Sequence, residues 1–147
     1  MSPTARRFFS TEDQEKIVNA ILNAELDTSG EIRVHIETYC KSEVLDRAAF
    51  LFKKLKMDRT ELRNGVLFYL AVKSRKFAII GDSGINNTVP TNFWDDIKEI
   101  MGKEFSDNQF TNGLTLGILE AGKHLKKHFP HHSDDINELP DEISFDR

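Results

Sequence analysis

Apolar residues recur along this chain with two distinct periods, and the switches between them mark out its elements. Ile17, Ala20, Ile21 and Ala24 form one stripe at helical spacing. The helix they predict starts near Ser10-Thr11, where Thr11 with Gln14 reads as a capping box, and Glu12, Asp13 and Glu15 suit the dipole of its first turn. Asp27-Thr28-Ser29-Gly30 ends it in turn chemistry. From Glu31 to Thr38 the period drops to two: Ile32, Val34 and Ile36 alternate with Arg33, His35 and Glu37, as in a strand with one buried face. Helical spacing returns with Leu45, Ala48, Ala49, Phe52 and Leu55, and Ser42 is a candidate cap. Val66 to Val72 is apolar on both faces, the pattern of a central strand covered on both sides. The polar turn Lys73 to Lys76 and the short run Phe77 to Ile80 predict an antiparallel hairpin.

Gly81 to Pro90 reads as a long turn-rich loop. A helix capped by Thr91 or Asn92 then buries Phe93, Ile97, Ile100 and Met101, and a last helix runs from about Gln109 to His128 with Phe110, Leu114, Ile118, Ala121 and Leu125 on one face. Gly113 and Gly117, one turn apart, predict a close approach of this helix to the sheet. Past Pro130 the chain becomes an acidic tail, in which Ile143-Ser144-Phe145 has the pattern of a short edge strand. The order is α-β-α-β-β-α-α. A strand, a crossover helix and a second strand make a right-handed parallel unit, so the first two strands are expected parallel and the third antiparallel.

The 147 residues fit one domain, and 39% apolar content with eleven Phe supports one sizeable core. A net charge of −4 argues against a nucleic-acid partner, which needs a basic surface. Cys40 stands alone, so no internal disulfide forms, and Glu37, Glu43 and Asp46 nearby disfavour a reactive thiolate. No apolar stretch has the length of a membrane span, and the stretch from Met1 to Phe9 lacks the apolar segment of a secretory signal. The expected location is the cytoplasm.

Ser29-Gly30-Glu31-Ile32-Arg33-Val34 and Arg63-Asn64-Gly65-Val66-Leu67-Phe68 resemble the first two strands of TPM domains. Phe77 to Ile85 resembles their third strand and Gly-rich loop, and Trp94-Asp95-Asp96-Ile97, Phe110 to Leu114 and Gly117-Ile118 resemble the two helices that follow. Each motif is short, but their order and spacing together are specific. The family includes thylakoid-lumen and photosystem-II-repair proteins, a receptor modulator in animals and many bacterial proteins. The resemblance implies an α/β fold: a three-layer α/β/α sandwich with a small mixed sheet of about four strands, over residues 8–130, with 131–147 as the tail. It also implies divalent-metal binding, and acid phosphatase activity as ascribed to some members. Where the family loop reads Gly-Tyr-Gly-Leu-Glu, this chain has Gly81-Asp82-Ser83-Gly84-Ile85-Asn86. Without a signal or anchor in the sequence, it resembles a stand-alone bacterial-type member.

The expected topology places the acidic residues. The starts of strands one (Glu31) and two (Arg63, Asn64) and the end of strand three (Asp82) share one rim, with Asp58 and Glu61 in the connection before strand two and Asp95 and Asp96 opening the next helix. Ca²⁺ or Mg²⁺ takes such oxygen donors. Asp82, Asp95 and Asp96 with Asn86, Asn87 and loop carbonyls make one ligand set; Glu31, Glu61 and Asn64 complete it or build a second site. Zn²⁺ fits this group poorly, for it lacks Cys and His.

Plainer readings stand beside these. Asp95 and Asp96 also complement a helix N-terminus, and Asp82 also fits an Asx turn. Arg63 either binds phosphate or pairs with a neighbouring Asp. His124 and His128 lie one turn apart as metal pairs do, but equally suit a helix C-terminus beside Lys123, Lys126 and Lys127. Trp94 is core or a site wall, and Asp134, Asp135, Glu138, Asp141 and Glu142 form a solvated tail or a partner contact. Two functions follow. One is a metal-responsive binding or regulatory module with an unidentified protein partner, favoured because no nucleophile–base pair is visible. The other is a metal-dependent acid phosphatase acting on phosphate esters, with two ions clamping the phosphate.

Overall fold

The computed structural model describes residues 4–131 and 137–145. Among the described residues, six helices, α1 (Ala5–Phe8), α2 (Thr11–Glu25), α3 (Val44–Lys54), α4 (Ser83–Asn86), α5 (Asp95–Ser106) and α6 (Phe110–His128), surround strands β1 (Glu31–Glu37), β2 (Gly65–Ala71), β3 (Lys76–Gly81) and β4 (Ser144–Phe145). The sheet order is β3-β2-β1-β4. β1 and β2 are parallel and β2 and β3 antiparallel, as the crossover and hairpin signals require. The edge strand expected at 143–145 forms, pairing Ser144 and Phe145 in parallel with His35 and Ile36.

The layers follow from the alternation. Ile32, Val34 and Ile36 of β1 join Val66, Phe68 and Leu70 of β2 in a core closed by Ile17 and Ile21 of α2, Ile97 and Met101 of α5 and Leu114 and Ile118 of α6. On the other face Leu67, Tyr69 and Ala71 meet Ala48, Leu51 and Phe52 of α3, together with Met57 of a 3-10 turn at 57–59. Side chains such as Phe68 and Ile118 are fully buried, each contributing about 1.5–3 kcal/mol of transfer free energy.

Several local expectations are corrected. The cap of α2 is Ser10, whose hydroxyl accepts from the Asp13 amide, while the Gln14 side chain donates to the Arg6 and Phe9 carbonyls. Glu43, and not Ser42, caps α3 by accepting from the Leu45 and Asp46 amides. A turn at Thr91–Trp94 delays α5 to Asp95, with no side-chain cap. The loop after β3 contains α4, because Asp82 supplies an N-cap. Ile100, Leu45 and Ala49 face outward; on α3 the buried face turns through Leu51 instead. Gly113 and Gly117 admit Phe105 and Met101 of α5, so they set a helix–helix distance and not a helix–sheet one. β1 is buried on both faces, because the Arg47 side chain of α3 and the C-terminal residues Leu139 and Ser144 cover its polar side.

Residues 137–145 lie as a strap against the sheet. Leu139 is buried in the α3-side cluster, and Ile143 and Phe145 pack on the opposite core. The acidic residues Asp134 and Asp135 fall outside the described residues, as does the stretch 1–3.

Candidate functional site

β1 and β2 begin, and β3 ends, at one rim. Glu31 stands in register with Gly65, and Val66 with Gly81. The Glu31 amide donates to the Asn64 carbonyl at 3.2 Å and the Asp82 amide to the Gly65 carbonyl at 2.9 Å. Glu31, Asn64 and Asp82 therefore share one edge of the sheet, as the topology argument requires. Their side chains join two separate groups.

At the β3 end, Asp82 is 6% exposed and held twice. Arg63 donates from Nε to Oδ2 at 2.9 Å and from its guanidinium NH₂ to Oδ1 at 3.0 Å, a two-point ion pair. The same carboxylate caps α4 through the Ser83 amide at 2.7 Å. Arg63 has a left-handed backbone, φ 52°, an uncommon conformation for a side-chain-bearing residue, so surrounding contacts must hold it. One such contact is its carbonyl, which accepts from the Gly84 amide at 2.8 Å. A side chain at Gly84 would stand 2.2 Å from the Leu62 carbonyl and 2.5 Å from that of Arg63, so only glycine allows this closure. Asp58 adds its charge near Arg63. Asn86 donates to the Gly81 carbonyl at 2.8 Å. Trp94 is buried with its ring edge 3.1 Å from where a Gly81 Cβ would lie, and so brings the start of α5, with exposed Asp95 and Asp96, toward this end.

At the β1 end, Glu31 is 3% exposed, and its Oε1 accepts from the Leu139 amide of the strap at 2.5 Å. Burial pushes this carboxyl up to about 7, with the Glu138 charge adding to the effect. The Glu138 carboxylate accepts from the Glu61 amide at 3.2 Å. Exposed Glu61 thus meets this group through its backbone. Asn64 is buried and donates to the Ser29 carbonyl at 3.0 Å. Glu25, at the end of α2, accepts from the Ile32 amide at 2.8 Å. Burial, and then the hydrogen bond with Asp141, raise its carboxyl to about 9. Among the described residues, no group of three or more His, Cys, Asp or Glu side chains is arranged to hold a metal ion.

A third polar group lies on the α3 face of β1. Glu37, 3% exposed, accepts from the Tyr69 hydroxyl at 2.6 Å and from Arg47 Nε at 2.8 Å, with a second, shorter contact to the Arg47 NH₂. His35 Nε2 lies 3.8 Å from the same carboxylate, and its Nδ1 is 2.8 Å from Ser144 Oγ. Burial alone would raise the Glu37 carboxyl, but the Arg47 and Tyr69 hydrogen bonds outweigh it and hold it below the ordinary value. Cys40 is buried, its Sγ 3.4 Å from the Ser42 carbonyl.

A family profile of the TPM domain, whose family name also carries the word phosphatase, matches residues 4–124. The chain belongs to the TPM domain family. Among solved structures, this TPM domain is similar to the BA42 protein of the psychrophilic bacterium Bizionia argentinensis, with 47% identity, TM-score 0.89, and coverage of 95% of this chain and 96% of that one. It shares its fold with the N-terminal domain of a P. gingivalis protein (18% identity, TM-score 0.69, 84% and 83% covered). The N-terminal domain of a Corynebacterium glutamicum protein also matches (14% identity, TM-score 0.65, 85% of each chain). No curated protein matches the chain. No helix among the described residues is long and apolar enough to cross a membrane.

Of the seven residues expected to bind metal, Asp82, Asn64, Glu31 and the more exposed Asn86 are held by protein partners at the rim, while Glu61, Asp95 and Asp96 are exposed around it. Trp94 is core. His124 and His128 both pack edge-on to Phe93, at 5.2 and 5.7 Å. The sequence reading missed Glu25 and Leu139, and placed Glu138 and Asp141 in a solvated tail or partner contact. Its one available signal was Leu139, an apolar residue within an acidic stretch. The Glu37 network was hidden because β1 alternation reads its polar face as solvent.

Proposed function

We propose that this TPM domain is a non-catalytic binding module whose rim takes up a divalent cation, Ca²⁺ or Mg²⁺, at the β3–α4–α5 end. One observation supports the reading: Asp82 closes β3, Asn86 lies in α4, and Trp94 brings Asp95 and Asp96 toward the same end. These donors are all oxygen, the chemistry hard cations select. Asp82 is neutralised by Arg63, so an ion would compete with that guanidinium and release it outward. The outcome is a rim whose shape and charge report the cation to a protein partner. Glu31 and Asn64 are committed to the strap and to Ser29, and are left out of this ligand set.

Amide and Arg63 Nε–H spectra recorded with Ca²⁺ and with Mg²⁺ test the proposal. Shifts confined to residues 81–96 and the Arg63 side chain are expected, and Asp82→Asn should weaken binding at least tenfold. Absence of any shift up to about 1 mM, the weak end of Ca²⁺ modules, would overturn it. Without an ion, Arg63, the group that would steady a phosphate, is held by Asp82, so the phosphatase reading requires its release. Phosphate-ester hydrolysis with Mg²⁺ that disappears in Asp82→Asn would favour that reading over binding alone.

A further inference from the structure

We infer that the strap, residues 137–145, is a proton-controlled latch. It closes over the start of β1 while Glu25 and Asp141 share a proton, and opens at that end when the proton leaves. The geometry carries the argument. Asp141 Oδ2 accepts from Asn137 Nδ2 at 2.9 Å, but Oδ1 is buried with no donor. The carboxyl that hydrogen-bonds Asp141 is Glu25. Glu25 Oε2 is already occupied by the Ile32 amide, which leaves its other oxygen to carry a proton toward Asp141. With that proton, the buried acceptor is satisfied; without it, two carboxylates face each other with Asp141 Oδ1 shut off from water.

The surroundings make this contact the sensitive one. Glu31 of β1 adds negative charge to Glu25. Among the described residues lining the cleft around the pair, His131 is the one base. Asp27 beside it is paired with Lys126 of α6 at 3.6 Å. Glu138 of the strap is tied to the Glu61 amide, and Glu142 lies near Arg33 of β1. Two further contacts hold the near end, the buried Leu139 side chain and the Leu139 amide on Glu31, while the two-residue β4 with Ser144–His35 and the Arg6–Phe145 ring contact at 5.0 Å hold the far end. The Glu25 carboxyl is raised to about 9 from 4.5. Closing therefore favours the protonated form, and its advantage is complete below about 4.5 and lost as pH rises through about 9.

Methyl ¹³C spectra of the whole chain from about pH 6 to about pH 10 test the latch, a window that brackets the Glu25 transition. Leu139 methyl signals should move toward free-chain positions with an apparent midpoint above neutrality, while Ile97 and Ile118 in the main core stay in place. Glu25→Gln keeps a donor for Asp141 and removes the titration, so its Leu139 signals should hold the closed position throughout. Asp141→Asn removes the facing charge and serves the same purpose if Glu25→Gln does not fold. Leu139 signals that do not move in the wild type, or that move identically in both variants, overturn the latch, as does a transition that takes Ile97 and Ile118 with it. None of these readouts involves a cation, so the latch and the metal reading stand or fall separately.

Discussion

Single residues carry the polar face of β1. Glu37 sits where strand alternation predicts solvent, yet it is buried, neutralised by Arg47 and hydrogen-bonded by Tyr69. Removing one partner of such a pair costs more than the pair contributes, because the survivor is left without an acceptor. Glu37→Ala should cost about 2–3 kcal/mol in urea unfolding, below the roughly 3–5 kcal/mol of a fully buried pair because Arg47 is a third exposed. Tyr69→Phe removes one hydrogen bond to a charge and should cost about 1.5 kcal/mol. The Glu37 carboxyl is depressed, so its contribution is present above 4.5 and lost as pH falls through its folded value. Acid should therefore destabilise the wild type more than Glu37→Gln, an outcome that paired unfolding curves near about pH 3 and pH 6 would check.

Among the elements, helix spacing is set by glycines. A Cβ on Gly122 of α6 would lie 2.7 Å from Ala24 Cα and 2.8 Å from its carbonyl oxygen, against backbone of α2 that cannot rotate aside. Gly122→Ala should lose about 1–2 kcal/mol net, overpacking exceeding the helix propensity gained. Gly102 of α5 is the control: the nearest atom to an added Cβ is Phe77 Cζ at 3.9 Å, so Gly102→Ala should stabilise by about 0.5–1 kcal/mol. Equal signs for the two substitutions in denaturant titrations would refute this account of the α2–α6 contact. The glycine spacing at 113 and 117 was legible in the sequence, but its partner was not. A close approach is a local property of one helix, whereas the identity of the neighbour belongs to the packing.

For the whole molecule, buried acids set the response to pH. Glu25 and Glu31 both have carboxyls raised above 4.5, so folded protein holds protons that the unfolded chain releases, and stability falls as pH rises from about 4.5 toward about 9. The melting temperature should be lower near pH 9 than near pH 6, each kcal/mol amounting to about 2–4 °C at this chain length. Glu25→Gln should flatten that slope. A melting temperature that rises over this interval would contradict the burial of both groups.

What the sequence determined by itself was the main frame, while its caps and the short helix α4 escaped it. Period-two and helical stripes fixed the order of elements, the crossover and hairpin lengths fixed strand directions, and together these placed Glu31, Asn64 and Asp82 on one rim before any coordinates. Tertiary structure alone decided what those residues do there. Arg63 reaches Asp82 across 19 positions, and Leu139 reaches Glu31 across 108. Charge on a lone carboxylate reads as solvated in a sequence, and whether it meets a guanidinium, an amide or another acid depends on contacts that no local pattern encodes.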